Sequence, residues 1–132
     1  MANKKVYTLE LHCSFKEWWR YNVQLQCGAY DERGERIGFV ATGQTVAEVG
    51  AELKAAPDKG SYSRTLKLDS PACHEARFLL YIMPHTLPTE SRLEQTPPFE
   101  VTLRSYCDGK ECQKEVIRVN QWSGTSIERK LK

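Results

Sequence analysis

The N-terminal part of the chain alternates apolar and polar side chains with the period of two that is typical of a β-strand. Apolar residues occupy the odd positions of residues 7–15 and of residues 21–29. A strand of this kind buries one face, so the odd-numbered side chains are predicted to point into a core. Antiparallel pairing of the two segments, with Phe15 opposite Tyr21, matches their apolar positions and leaves a tight connection between them.

The next segment carries the signal of a β-hairpin. Asp31–Glu35 places Gly34 at the third position of a three-residue loop, where a positive φ angle is needed. This register puts Ala29 opposite Ile37 and directs Phe39 into the core. The first three strands are thereby predicted to form a meander.

One short helix is predicted after this meander. Thr45-Val46-Ala47-Glu48 has the sequence of a capping box, in which a hydroxyl and a carboxylate bind backbone N–H groups at the start of a helix. Val49 and Leu53 follow at helical spacing, and Pro57 and Gly60 end the segment. The helix is expected to cover an end or an edge of the fold.

The rest of the chain carries further strand patterns. Predicted strands cover Tyr62 to Leu68, Ala76 to Met83, a segment that begins at Phe99, and Thr125 to Leu131. A second glycine loop, Cys107-Asp108-Gly109, pairs Phe99 with Ile117. Eight strands and one short helix in a single domain, residues 1–132, predict an all-β, antiparallel β-sandwich. In strand number and length it resembles a C2-type sandwich, and its general architecture is C2-like or immunoglobulin-like.

Composition narrows the possible partners. Of the 132 residues, 40% are apolar and 27% are charged, and the net charge is +2. No segment concentrates Lys and Arg, which argues against a nucleic-acid groove. The longest apolar run, Phe78 to Met83, is too short to cross a bilayer, and the balanced charge argues against a membrane-surface role. The chain is expected to be cytoplasmic, although a protein that had lost an export signal would show the same pattern.

The aromatic residues fall together when the loops are grouped by the end of the sandwich at which they lie. If successive strands alternate direction, one end of the sandwich collects the candidate binding residues, which are Trp18, Trp19, His85 and Trp122. Consecutive side chains point in different directions, so at least one ring of the Trp18-Trp19 pair is expected near the surface. Exposed aromatic rings are enriched at binding sites. The alternative is that the rings fold back and seal the end of the sandwich.

The opposite end is predicted to be acidic and to carry thiols. Asp31, Asp69 and Asp108 fall there, as do Cys73, His74, Cys107 and Cys112. The spacing of these cysteines differs from that of a zinc knuckle, and one aspartate per connection is sparse for calcium. We therefore expect reduced cysteines and no metal or cofactor.

Motifs for catalysis are missing from the sequence. It contains no phosphate-binding glycine loop, no nucleophile elbow and no zinc-protease helix. The leading hypothesis is a non-catalytic module that binds another protein, or its own copies, through loops or sheet edges. The alternative is a small-molecule or carbohydrate-binding domain, with hydrolysis as an option, that uses the aromatic end. A concave pocket holding Trp18 or Trp19 with His85 would favour the alternative, and a flat apolar patch would favour protein binding.

Overall fold

The computed structural model describes residues 4–51, 53, 56–57, 62–86 and 98–132. Within them eight strands form two four-stranded antiparallel sheets, packed as a sandwich. The strands are β1 (Tyr7–His12), β2 (Tyr21–Tyr30), β3 (Arg36–Gln44), β4 (Thr65–Asp69), β5 (Glu75–Pro84), β6 (Phe99–Cys107), β7 (Lys110–Val119) and β8 (Thr125–Leu131). The sheets have the orders β4-β1-β6-β7 and β3-β2-β5-β8. The predicted all-β sandwich is confirmed.

The core lies between the two sheets and is built by alternate residues of the central strands. Leu9 and Leu11 of β1 are buried, and so are Leu25 of β2 and Leu80 of β5. The prediction that odd-numbered side chains of β1 and β2 point inward is therefore correct. Burial of such side chains is the main favourable contribution to folding.

The predicted pairing of β1 with β2 is wrong, because the two strands lie in different sheets. β1 pairs with β4 and β6, whereas β2 pairs with β3 and β5. The segment between them includes one turn of 3₁₀ helix, Trp18–Arg20, and carries the chain from one sheet to the other. An inward-facing pattern is satisfied equally well by hydrogen-bonded neighbours and by strands that face each other across the core. For the same reason β1, β2 and β3 form no meander.

The β2–β3 hairpin keeps the predicted loop but changes register beyond it. Gly34 has a φ angle of +81°, as expected. The predicted pairing of Ala29 with Ile37 is wrong, because a bulge places Ala29 opposite Gly38. A register slip of one residue reverses the faces of a strand. Phe39 consequently points away from the core and is 53% exposed, which corrects the prediction that it lies in the core, and Ile37 at the bulge is 46% exposed.

The β6–β7 hairpin also differs from its predicted register, with less consequence. Asp108 and Gly109 both have positive φ angles, so the chain turns over these two residues alone. Phe99 lies opposite Val119, two residues beyond the predicted Ile117. A shift of two residues preserves the faces of a strand, and Val119 is fully buried.

No helix forms over residues 45–51, so the predicted capping box does not act as one. The side chain of Asn22 holds this segment instead, since its Oδ1 accepts a hydrogen bond from Val46 N and its Nδ2 donates to Ala47 O. The backbone turns at Gly50, where φ is +89°. Apart from residues 53 and 56–57, the rest of the predicted helix lies outside the described residues.

Candidate functional site

The aromatic end gathers the four predicted residues, as the sorting of connections expected. Trp18 and Trp19 follow β1, His85 follows β5, and Trp122 follows β7. Two contacts join these connections: His85 Nε2 lies 2.6 Å from the carbonyl oxygen of Trp19, and the Tyr21 hydroxyl donates to the carbonyl of Gln121 at 3.0 Å. The four residues therefore share one end of the sandwich.

The rings of Trp18 and Trp19 are both buried, so the expectation that one of them lies near the surface is wrong. Trp18 is 1% exposed and Trp19 is 6% exposed. The reason is the 3₁₀ turn, in which successive side chains project about 120° apart. The two rings can then leave the turn in different directions and still both be covered.

Trp18 belongs to an aromatic cluster in the core. Its ring stacks on Tyr21 with centroids 5.9 Å apart and meets Phe99 edge-on at 6.1 Å. The indole N–H donates to the carbonyl of Ser63 at 3.1 Å. With its ring packed and its polar atom bonded, Trp18 seals the end of the sandwich.

Trp19 is covered by a charged side chain. The guanidinium of Arg20 lies 4.7 Å from the centre of the Trp19 ring, a cation–π distance. Arg20 is itself buried, and its Nε forms an ion pair with Glu17 at 2.6 Å. The covered ring leaves no open face for a ligand or partner.

His85 joins three segments of the chain. Its backbone N–H donates to the carbonyl of Arg20, and its carbonyl accepts from Gly50 N at 2.8 Å. The Nε2–Trp19 contact requires a proton on Nε2, so the neutral imidazole accepts at Nδ1 from the Thr86 hydroxyl, 2.7 Å away. Burial lowers the pKa of this imidazole, the hydrogen bond to Trp19 opposes that shift, and the charge of Arg20 adds to it. The geometry is that of a structural histidine.

We expect His85 to make the protein less stable in mild acid. Its folded-state pKa lies below the ordinary value, so the unfolded chain takes up the proton first as the pH falls. The contribution of neutral His85 to the free energy of unfolding is complete above about pH 6.5. Below that pH it is lost, by no more than about 1.4 kcal/mol per pH unit. Urea unfolding between pH 7.5 and pH 5 measures this slope. His85→Gln is the control, because His12 and His74 remain in both proteins, and equal slopes would contradict the prediction.

Trp122 differs from the other two tryptophans because it is partly exposed. It borders a shallow concavity of about 390 Å³, together with Pro98, Arg118 and Asn120. Its indole N–H is buried and has no hydrogen-bond partner among the described residues. Of the four predicted binding residues, Trp122 alone offers ring surface to a ligand.

The opposite end of the sandwich gathers the predicted acids and thiols, but the acids serve the backbone. Asp31 accepts from the N–H groups of Arg33 and Glu35 inside its own turn. Asp108 accepts from Val6 N at 2.9 Å, and Asp69 accepts from the hydroxyl of Thr8. Each carboxylate is occupied in closing a turn or joining two strands.

The cysteines of the described chain are all unpaired thiols. Cys13 and Cys27 are core residues, as predicted, and burial raises the pKa of the Cys27 thiol to about 12. Cys73 is also buried, whereas Cys112 is exposed. Within the described residues, no three His, Cys, Asp or Glu side chains are arranged to hold a metal ion.

Exposed apolar side chains lie on the outer face of the β3-β2-β5-β8 sheet. We use "outer face" for the side chains of this sheet that point away from the core. Phe39 of β3 and Met83 of β5 are 53% and 47% exposed there, and Leu79 and Tyr81 of β5 are half-buried on the same face. Sequence reasoning missed this surface because it placed Phe39 inside. The signal available in the sequence was that the apolar residues of β3 occupy both odd-numbered and even-numbered positions.

Two shallow concavities mark the outer face. The first, of about 520 Å³, is uncharged: Ala41 and Gly43 of β3 form its floor, and Tyr81 and Met83 line it. The second, of about 530 Å³, contains cations such as Arg77, which lies 4.1 Å from the centre of the Tyr30 ring and pairs with Glu75. The outer face therefore has a neutral half and a basic half.

Within the described residues, no helix has the length and apolar character needed to cross a bilayer.

Comparison with known proteins identifies the fold alone. No family model and no curated protein matches the chain. A domain of unknown function, DUF4425, from Bacteroides vulgatus superposes with a TM-score of 0.55 at 10% identity, covering 98% of this chain and 97% of that one. A DUF4425 family protein from Bacteroides ovatus gives a TM-score of 0.51 at 11% identity, covering 97% and 94%. The sandwich is DUF4425-like in fold.

Proposed function

We propose that this protein is a non-catalytic interaction module that binds protein through the edge of strand β3 and the outer face beside it. One observation carries the proposal: β3 is an edge strand whose apolar side chains Ile37 and Phe39 are exposed. Apolar side chains beside an open strand edge are typical of protein-binding sites. The partner adds a strand to the sheet and covers these side chains.

The charge of the edge strands supports β3 as the binding edge. β3 carries a single charged residue among its nine, Arg36 at its start. The other edge strands carry charges along their length: Lys67 and Asp69 in β4, Lys110, Glu111, Lys114, Glu115 and Arg118 in β7, and Glu128, Arg129 and Lys130 in β8. Charged side chains protect an edge against pairing with another chain. β3 lacks this protection.

The hydrogen bonds of β2 show which backbone groups of β3 are available. The carbonyl of Tyr30 accepts from His74 N at 3.0 Å, on the side of β5. Successive residues of a strand direct their backbone groups to opposite sides, and the β2–β5 register runs without a shift from Tyr21 to Tyr30. Even-numbered residues of β2 therefore bond to β5, and odd-numbered residues bond to β3.

The same alternation extends into β3 through its register with β2. Cys27 lies opposite Val40, so the backbone groups of Val40 point toward β2. Those of its neighbour Phe39, and of Ala41 and Gly43, point away from the sheet. In the described residues β3 pairs with β2 alone, which leaves these groups free to bond to an added strand.

Site-specific photo-crosslinking in the native cell tests the proposal. Phe39 is replaced by a photo-crosslinking phenylalanine analogue, and the same analogue replaces Val116, which is 58% exposed on the charged strand β7. We expect protein adducts at position 39 and few at position 116. Equal labelling at both positions, or labelling at position 116 alone, would overturn the proposal. Adducts to other proteins and to this protein's own copies both support it.

A small-molecule or carbohydrate site at the aromatic end is the second candidate function. Its remaining support is the concavity beside Trp122 and Arg118, because Trp18, Trp19 and His85 are buried. A ligand site normally encloses most of its ligand. The concavity at Trp122 is shallow and would leave much of a ligand exposed, so the geometry favours protein binding.

A further inference from the structure

We infer that the strand added to β3 is the β3 strand of a second copy of this chain, paired antiparallel about a two-fold axis at Ala41. This inference rests on the proposed function and names its partner. In this register Ala41 lies opposite its own counterpart, and Phe39 lies opposite Gly43 of the second copy. These are the three residues whose backbone groups point away from β2, so each opposed pair exchanges both of its hydrogen bonds.

The side chains on the outer face fit this register. Phe39 is a large exposed side chain, whereas Gly43 has none and lines the uncharged concavity. The two-fold axis places the Phe39 ring of each copy beside Gly43 of the other, at the rim of this concavity. Each copy contributes one projecting ring and one hollow, which is the self-complementarity that a two-fold interface requires.

Neighbouring registers fit less well. A register centred on Phe39 would oppose the two rings and leave both hollows empty. It would also carry the pairing into the irregular part of the strand, where Ala29 and Tyr30 of β2 lie opposite Gly38 and Arg36 and Ile37 is the extra residue. Centring on Ala41 keeps the pairing between Phe39 and Gly43, on the regular part of the strand.

The charges also permit the pairing. No charged residue occurs between Ile37 and Gln44, so no like charges are opposed along the paired segment. The charged residue of β3, Arg36, falls opposite position 46 of the second copy, beyond the end of the strand. Its guanidinium lies 5.9 Å from the centre of its own Phe39 ring. Pairing joins the two β3-containing sheets into one continuous sheet.

Disulfide trapping in the purified protein tests this register. In a hydrogen-bonded antiparallel pair the two Cα atoms lie about 5.5 Å apart, a separation that a disulfide spans. We expect Ala41→Cys to form a covalent dimer on mild oxidation, above the background that exposed Cys112 gives in the wild type. Ser126→Cys is the matched control, because Ser126 is exposed on β8 at the other edge of the same sheet.

Sedimentation of the unmodified protein provides a measurement that depends on no new cysteine. The wild type is expected to reach a dimer as its concentration rises, and Phe39→Ala is expected to raise the dissociation constant by about tenfold or more. Val116→Ala, which removes an equally exposed side chain from β7, is expected to leave it unchanged.

A wild type that stays monomeric at millimolar concentration would overturn the inference, as would equal trapping of Ala41→Cys and Ser126→Cys. Neither result would contradict the proposed function if position 39 still forms adducts with other proteins in the cell. Absence of both the dimer and those adducts would overturn the two together.

Discussion

Replacing Trp18 with alanine is expected to lower the free energy of unfolding by about 3–5 kcal/mol, the usual cost of removing a buried aromatic ring. The ring contacts Tyr21 and Phe99, and its N–H binds the carbonyl of Ser63. Its removal leaves a cavity, whereas the carbonyl of Ser63 keeps the hydrogen bond from Gln44 Nε2, so the lost packing accounts for the cost. Equilibrium unfolding in urea measures the change.

Trp122→Ala is the matched control for Trp18→Ala. It removes the same side chain from the same end of the sandwich, where Trp122 is partly exposed, and is expected to cost clearly less stability. Trp18→Ala protein that remains folded is expected to associate as the wild type does, because the Trp18 ring is buried and offers no surface to a partner at the β3 edge. A stable Trp18→Ala variant that fails to associate would show that Trp18 contacts a partner, contrary to our reading.

The second large effect is expected for Leu25→Ala, at about 2–5 kcal/mol. Leu25 is fully buried at the middle of β2, between Thr42 of β3 and Leu80 of β5. Strands on both sides restrain the backbone, so the space left by the side chain cannot readily collapse. The loss is read from the midpoint of denaturant unfolding at unchanged slope.

Val116→Ala controls for the loss of apolar atoms as such, and an exposed site of this kind is expected to change stability by less than about 0.5 kcal/mol. If Leu25→Ala costs no more than Val116→Ala, then Leu25 does not lie in the core and the packing of the two sheets described above is incorrect.

Much of the fold follows from local sequence patterns. The alternation of apolar and polar residues located most of the strands, and for β8 it gave both end residues correctly. It also identified the inward faces of β1 and β2. It cannot identify the neighbours of a strand, because a side chain that points inward does so whichever strand lies beside it. The pairing of β1 with β4 and β6 depends on contacts between residues that are far apart in the sequence.

The candidate site shows where local reasoning fails. The common position of Trp18, Trp19, His85 and Trp122 follows from strand direction alone and was predictable. The burial of Trp18 and Trp19 follows from one 3₁₀ turn, for which the sequence carries no strong signal. The exposure of Phe39 follows from one bulge beside Ala29, since a single extra residue reverses the faces of β3.

Hydrogen exchange at the backbone amides of β3 tests whether this edge pairs with the β3 edge of a second copy. We expect fast exchange at Phe39, Ala41 and Gly43 in dilute protein, with protection that grows with concentration as copies associate. The amide of Val40, which bonds to β2, is expected to be protected at every concentration. Fast exchange at Phe39, Ala41 and Gly43 at every concentration, or concentration-dependent protection at the β8 edge instead, would show that copies of the protein do not pair through β3.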